Sequence, residues 1–212
     1  MGFSDYNRDQ LVSFRAIKTI LENLPTAEQT RLKSQISPYL DFRKAVESFY
    51  GQYFESLCRE SCFETGLSAC CGFESIIIFF ADQLINCLIS SPEQITNILT
   101  TLEQPNRSNN CVFLGESGCI WQVRPIACAM FFCDQAKTRV FEQHPEAQAV
   151  WQRIQEQEKD YTWPTKPVLF DDIERYFIEL GVDSPSLYFH KSPGLLRLKA
   201  KSGVNSTTKD EK

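Results

Sequence analysis

Histidine is scarce in this sequence of 212 residues, which contains only His144 and His190. Many zinc sites combine cysteine with histidine, so a mixed site of that kind is disfavoured. Long apolar runs are also missing. The most apolar stretch, residues 76–89, is interrupted by Asp82 and is shorter than the roughly 20 residues of a membrane span. The start of the chain lacks the apolar segment of a secretory signal. We therefore expect a cytoplasmic protein that does not insert into a membrane.

Basic residues are neither in excess nor clustered. The chain has 22 Lys and Arg against 27 Asp and Glu, with a formal net charge of −5, and no run of four basic residues occurs. Proteins that bind nucleic acid usually present a basic patch. We therefore expect no nucleic-acid partner, and the expected partner or substrate is a protein whose kind the sequence does not specify.

Cysteine, in contrast, is abundant and confined to one part of the chain. All nine cysteines lie between residues 58 and 133. An odd number excludes complete pairing within one chain. In a reducing compartment, clustered cysteines indicate metal binding or redox chemistry more than disulfides. The nine are Cys58, Cys62, Cys70, Cys71, Cys87, Cys111, Cys119, Cys128 and Cys133.

The hydrophobic pattern predicts a mainly α fold with one or two small β-hairpins. Apolar residues recur at helical spacing through much of the chain. Helices are expected over 8–24, from Thr26, from Pro38 to about Cys62, over 74–90, over 92–103, from Pro125 to Phe132, over 136–160 and over 171–180.

Two hairpins are predicted from short apolar runs around turn residues. The first pairs 111–114 with 119–122 around the turn 115–118, and the second pairs 187–190 with 195–198. We expect a single domain over residues 1–201. Within it, 58–133 form a cysteine-rich core around a central metal site, 1–57 and 134–201 are helical elaborations, and 202–212 form a disordered tail.

The spacing of the first cysteines favours metal ligation. Cys58 and Cys62 are four residues apart, which places both thiols on one face of a helix. Cys70 and Cys71 are adjacent. Because neighbouring side chains diverge in most backbones, these two either serve different metal centres or include one structural thiol.

The remaining candidate ligands lie on the first hairpin and just after it. Cys111 and Cys119 fall on its paired strands, and Cys128 and Cys133 follow the turn at Arg124. Thiolates are soft ligands suited to zinc and to iron–sulfur clusters. Four of them leave a negative site, which Arg124 would partly neutralise. Eight thiols suffice for two four-cysteine sites, or for one site with additional redox-active thiols.

Cys87 differs from the other cysteines. It lies in the middle of a predicted helix, in register with the apolar Phe80 and Leu84. Small buried thiols behave as apolar side chains. We therefore expect Cys87 to be a core residue.

Three segments together resemble a known family. They are residues 70–75, residues 111–114 and residues 118–128, followed by Cys133. This pattern is similar to that of the CxxCxxCC, or YkgJ-type, cysteine-cluster family of zinc- or iron-chelating proteins, although the first cysteines are spaced more widely here. The family includes proteins linked to lysine N-methylation of flagellin. The resemblance of this sequence to such enzymes is distant.

The resemblance implies a metal site and its ligands. It implies that Arg124 and Pro125 shape the site. It also implies that the cofactor is an iron–sulfur cluster of the 4Fe–4S type, with zinc as the alternative. The ligands that it implies are Cys58, Cys62, Cys70, Cys71, Cys111, Cys119, Cys128 and Cys133.

Three functions remain open at this point. The first is a protein that holds an iron–sulfur cluster through cysteine thiolates. The second is a zinc-stabilised structural or interaction module, in which metal binding supplies folding energy. The third is a metal-dependent enzyme, either a methyltransferase-like protein-modifying enzyme or a redox enzyme.

Overall fold

Helices account for most of the described chain. A computed structural model of the protein describes residues 5–72, 77–105, 110–162 and 168–187. Its α-helices are α1 (Asp5–Asn23), α2 (Thr26–Tyr53), α3 (Glu55–Cys58), α4 (Phe80–Ile89), α5 (Pro92–Leu102), α6 (Ile126–Ala129), α7 (Asp134–Gln143), α8 (Pro145–Glu158) and α9 (Leu169–Glu179). The prediction of a mainly α fold is confirmed.

One antiparallel hairpin accompanies these helices. Strand β1 (Leu114–Gly115) pairs with strand β2 (Gly118–Cys119), and Leu114 lies opposite Cys119. The first predicted hairpin is thus confirmed, but its strands are shorter than expected and its turn contains only residues 116–117. Gly118 adopts a φ of +115°, a conformation that glycine reaches without steric cost. The predicted second hairpin, apart from Leu187, and the predicted disordered tail lie outside the described residues.

The prediction of separate helices from Thr26 and from Pro38 is wrong, because α2 runs through both positions. Proline removes one backbone hydrogen bond within a helix, here the bond to the carbonyl of Ser34. Both Ser34 and Pro38 are exposed, so water can satisfy that carbonyl. Ile36 and Tyr39 on either side of this position are fully buried in one core cluster. Their packing holds the helix together across the proline.

The prediction of one helix over 136–160 is also wrong, because α7 and α8 are separate. They meet at His144, whose φ of −134° and ψ of 75° are not helical. The ring of Pro145 clashes with a helical conformation at the residue before it. Pro145 then suits the first turn of α8, where its missing N–H is not needed.

Two hydrophobic clusters form the core, and α1 contributes to both. Ile17 and Leu21 join a larger cluster built with α2, α4 and α6 to α9. Leu11 and Phe14, on the preceding turns of α1, join a smaller cluster with α5 and the hairpin region. Among the described residues, no helix has both the length and the apolar content needed to cross a membrane.

Candidate metal centre

Eight of the nine cysteines line one cavity of about 1050 Å³. They are the eight residues that the sequence predicts as ligands, and Arg124 lines the same cavity. Cys87 does not. It packs against both core clusters, and burial raises its pKa to about 12. None of the nine cysteines, all of which the structure describes, forms a disulfide. The structure therefore brings together residues that are up to 75 positions apart in the sequence.

Cys58 and Cys62 are presented by a helix that changes type between them. Helix α2 ends at Tyr53, α3 begins after Phe54, and a π-helix then runs over Arg59–Phe63. The predicted uninterrupted helix to Cys62 is therefore wrong. The fully buried ring of Phe54 stacks on Phe132 with ring centroids 3.9 Å apart, and this packing accompanies the break. Single π-helical turns are rare and occur often at functional sites.

A tight turn carries the chain from Cys62 back to Cys70 and Cys71. The N–H of Ser68 donates to the carbonyl of Cys62 at 3.0 Å, and the N–H of Cys71 donates to the carbonyl of Ser68 at 2.8 Å. Ser68 has a φ of +41°, which a residue with a side chain adopts only at a cost. Residues Ala69–Cys71 form a single 3-10 turn. In such a turn successive side chains point about 120° apart, so Cys70 and Cys71 face different directions.

Cys70 lies next to Cys133. The backbone N–H of Cys133 donates to the Cys70 thiol. Burial, and then the neighbouring Cys133 thiol, raise the pKa of Cys70 to about 11. For Cys58, burial is the main cause of a raised pKa, followed by Cys133 and Cys62. These four thiols are therefore electrostatic neighbours.

Cys71 lies next to Cys111 on the other side. The N–H of Cys111 donates to the carbonyl of Cys71 at 2.5 Å, and the adjacent residues Gly72 and Asn110 form an antiparallel bridge. Burial raises the pKa of Cys111 to about 12, with Cys119 and Cys71 as the neighbouring thiols that add to the effect. The hairpin links Cys111 to Cys119, because the carbonyl of Cys111 accepts from Leu114 N–H at 3.0 Å and Leu114 pairs with Cys119.

Cys128 lies on the short helix α6, whose start is fixed by Pro125 and by Asp82. The carbonyl of Pro125 accepts from the N–H groups of Cys128 and Ala129, both at 3.0 Å. Oδ1 of the buried Asp82 accepts from the N–H of Ile126 at 3.0 Å. Pro125 thus precedes the first residue of α6, and its role in shaping a metal site stays a prediction. Asp82 was noted in the sequence only as a polar interruption of an apolar run, and its function as a helix anchor was missed.

The second group of thiols also shares an electrostatic environment. Burial raises the pKa of Cys128 to about 12, and the neighbouring Asp82, Cys111, Cys119 and Cys71 add to the shift. A thiol with a raised pKa stays protonated at neutral pH, and a thiol must lose its proton to bind a metal ion. A bound cation therefore has to supply the energy of that deprotonation.

Arg124 provides positive charge at the cavity wall. Its guanidinium pairs with Glu47 at 3.2 Å and lies 4.7 Å from the centroid of the Tyr50 ring. Burial raises the pKa of Cys71 and of Cys119, and Arg124 opposes the shift at both. Arg124 therefore lies close enough to affect these two thiols, and its role in neutralising a metal site stays a prediction. Glu47 and Tyr50, which hold it there, were not identified from the sequence.

A second arginine of the cavity, Arg43, is almost completely buried, with 2% of its side chain exposed. It donates from Nη1 to the hydroxyl of Tyr39 at 2.9 Å, and its Nη2 lies 3.7 Å from Glu47. Within the described part of the chain, its Nε and Nη2 make no hydrogen bond. Arg43 also interacts electrostatically with the carboxyl groups of Asp82 and Glu158, where it opposes the rise in pKa caused by burial.

The thiols surround the cavity without converging on one point. Within residues 5–72, 77–105, 110–162 and 168–187, no three Cys, His, Asp or Glu side chains already stand as a formed metal site. Comparison with known protein families, with curated proteins and with solved structures gives no match to this chain.

Proposed function

We propose that this protein binds metal through its cysteine thiolates and holds an iron–sulfur cluster. The observation that carries the proposal is the division of the cysteines: eight line one cavity, while Cys87 packs in the core. Apolar packing alone does not explain eight thiols around one open space, because core cysteines serve as small space-filling side chains. Eight thiols around a shared cavity form a donor set.

The chemistry of this donor set favours iron–sulfur over zinc. Among the described residues, the cavity lining contains eight thiols and no histidine, and iron–sulfur clusters are typically held by cysteine thiolates alone. A zinc ion in a structural site contacts all four of its ligands at about 2.3 Å, which leaves little free space between them. A cluster of iron and sulfide itself occupies space between its ligands, and a cavity of about 1050 Å³ provides that space. The resemblance to the CxxCxxCC family points the same way.

The charge around the cavity supports an anionic occupant. A four-cysteine cluster carries net negative charge, and Arg124 and Arg43 both line the cavity. Arg124 already opposes the raised pKa values of Cys71 and Cys119, so it stabilises their thiolates. Cluster potentials depend on such nearby charge and on hydrogen bonds to sulfur.

The test is the metal content of the full chain purified without oxygen. Iron, acid-labile sulfide and zinc are measured per chain, and the absorption spectrum is recorded before and after reduction. We expect iron and sulfide in equal amounts and a visible absorption band that bleaches on reduction. A colourless protein with stoichiometric zinc would show that the bound metal is zinc and not an iron–sulfur cluster. A chain that binds neither metal would refute the proposal. Cys87→Ser serves as the matched control and should keep the full metal content.

A second candidate function is an enzyme that acts at this cavity, either methyltransferase-like or redox. The observation that favours it is the space and the apolar rim beside the thiols. Leu67 and Phe131 line the cavity and are 64% and 55% exposed, and large apolar side chains at a surface opening often mark a binding site. Titration of the metal-loaded protein with S-adenosylmethionine, followed by calorimetry, tests the methyltransferase-like form. Absence of heat at saturating ligand would exclude it.

A further inference from the structure

We infer that the cavity holds two separate centres, each bound by four thiolates. The helical set consists of Cys58, Cys62, Cys70 and Cys133, and the hairpin set consists of Cys71, Cys111, Cys119 and Cys128. This inference rests on the proposed function, because it states how the same eight thiols divide between metal centres.

The division begins at the adjacent pair Cys70 and Cys71. They occupy consecutive positions of one 3-10 turn, so their side chains diverge by about 120°. Each has a different backbone neighbour. The Cys70 thiol accepts the N–H of Cys133, whereas the Cys71 carbonyl accepts the N–H of Cys111. One turn of backbone therefore presents the two thiols in different directions.

The helical set is completed by the two thiols that precede the turn. Cys58 ends α3 and Cys62 lies in the π-helix that follows it, and their spacing of four residues keeps them on one face. Cys58 is electrostatically coupled to Cys133 and Cys62, and Cys70 is coupled to all three of the others. These relations join the four thiols of the helical set to one another.

The hairpin set is completed by the hairpin and by α6. The pairing of Leu114 with Cys119 places Cys119 beside the strand that follows Cys111. Cys128 is coupled to Cys111, Cys119 and Cys71. Among the described residues, an electrostatic interaction between the Cys62 and Cys71 thiols joins the two sets. The two proposed centres therefore lie near each other in one cavity.

Four is the number of thiolates that saturates one zinc ion or one four-iron cluster. Two sets of four therefore make two complete centres without unused ligands. One centre with spare thiols would instead leave four of the eight thiols that line the cavity without a metal.

The test uses serine substitutions in the full chain and counts the metal that remains. Cys70→Ser should remove one centre and Cys71→Ser the other, so that each halves the metal content of the wild type. The double variant within one set, Cys70→Ser with Cys133→Ser, should lose no more metal than Cys70→Ser alone. The double variant across the sets, Cys70→Ser with Cys71→Ser, should lose all metal. Cys87→Ser is the control and should lose none.

The outcomes separate this inference from the proposed function. A wild-type chain that binds no iron and no zinc refutes both. A wild-type chain whose metal is abolished by either single substitution, or unchanged by one of them, keeps the proposed function and overturns the two-centre assignment.

A measurement on the wild-type chain tests the same assignment if the serine variants fail to fold. Metal is removed stepwise with a chelator, free thiols are alkylated at each step, and labelled cysteines are identified by mass spectrometry. The helical set and the hairpin set should each become labelled as a block of four, because a centre protects all of its ligands together. Labelling that divides the eight thiols differently, or exposes all eight in one step, overturns the assignment.

Discussion

Asn86 holds the backbone of Val123 with both ends of its side-chain amide. Its Oδ1 accepts from the N–H of Val123 at 3.0 Å, and its Nδ2 donates to the carbonyl of Val123 at 2.9 Å. Asn86 is buried on α4, and Val123 directly precedes Arg124. One side chain on a core helix therefore fixes the segment that positions the predicted cationic residue of the cavity.

We expect Asn86→Ala to destabilise this segment. The substitution removes the two hydrogen bonds to Val123 and a third from Nδ2 to the carbonyl of Asp82. It leaves the N–H and carbonyl of Val123 without these partners, at a cost of about 1–3 kcal/mol. Urea unfolding of the purified chain measures the loss, and the metal content should fall because Arg124 and α6 lose their anchor. Asn97→Ala, at an exposed position of α5, is the matched control. Equal stability of the two variants would contradict the anchoring role.

The raised pKa of Asp82 makes the stability of the folded protein depend on pH, and the direction of that dependence can be stated. Burial raises its pKa from 3.8 to about 6, so the folded state binds a proton more tightly than the unfolded state. Its contribution to stability is therefore complete below pH 3.8 and is lost as the pH rises through about 6. Between pH 5 and pH 7 the wild type should lose about 1 kcal/mol relative to Asp82→Asn, measured by urea unfolding. The same pH dependence in both proteins would show that this carboxyl is not the cause, and Asp41→Asn, at an exposed residue, should behave like the wild type.

The candidate ligands could be predicted from the sequence because their signal is local. Cys87 differs from the other cysteines by its register with Phe80 and Leu84 on one helix, and the structure places it outside the cavity. The residues that support the site gave no such signal. Glu47 contacts Arg124 across 77 positions, and Asp82 contacts the start of α6 across 44. Such pairs become visible only when the fold brings distant segments together.

The helix boundaries likewise show that contacts between distant segments cannot be predicted from local sequence. Local rules explain the break at Pro145, where His144 before the proline leaves helical geometry, although one helix was predicted through this position. The same rules failed at Pro38, where packing of Ile36 and Tyr39 into one core outweighs a missing hydrogen bond. Local preference decides a helix end only where tertiary packing does not oppose it.

Arg124→Gln should lower the reduction potential of the proposed iron–sulfur cluster. Removing a positive charge beside an anionic centre makes the addition of an electron less favourable, by an amount on the order of tens of millivolts. Arg124→Lys keeps the charge and should restore most of the potential, which separates charge from geometry. Potentials are measured by redox titration of the visible absorption. Arg153→Gln, at an exposed position of α8, should leave the potential unchanged, and an unchanged potential in Arg124→Gln would count against its electrostatic role.

Cys87→Ser and Cys128→Ser make the same chemical change with opposite expected results. Cys87→Ser places a hydroxyl against both core clusters and should lower stability by about 1–3 kcal/mol while the metal content stays complete. Cys128→Ser should lower the metal content. Metal analysis and urea unfolding on both variants separate the two roles. Loss of metal in Cys87→Ser would make Cys87 a ligand and would contradict its assignment to the core.

Removal of the proposed metal should loosen the segments that carry the candidate ligands more than the helices. Residues 59–72 and 110–125 contain only the short π and 3-10 turns and the two-residue strands, so few backbone hydrogen bonds hold them without a bound metal. Helices α1, α2 and α4, in contrast, are packed by the core clusters. Hydrogen exchange before and after chelation should show faster exchange in the two segments and little change in these helices. The variant Cys70→Ser with Cys71→Ser, treated with the same chelator, controls for direct effects of the reagent. Uniform loss of protection throughout the chain would instead mean that metal binding supplies the folding energy of the whole protein, as expected of a metal-stabilised interaction module.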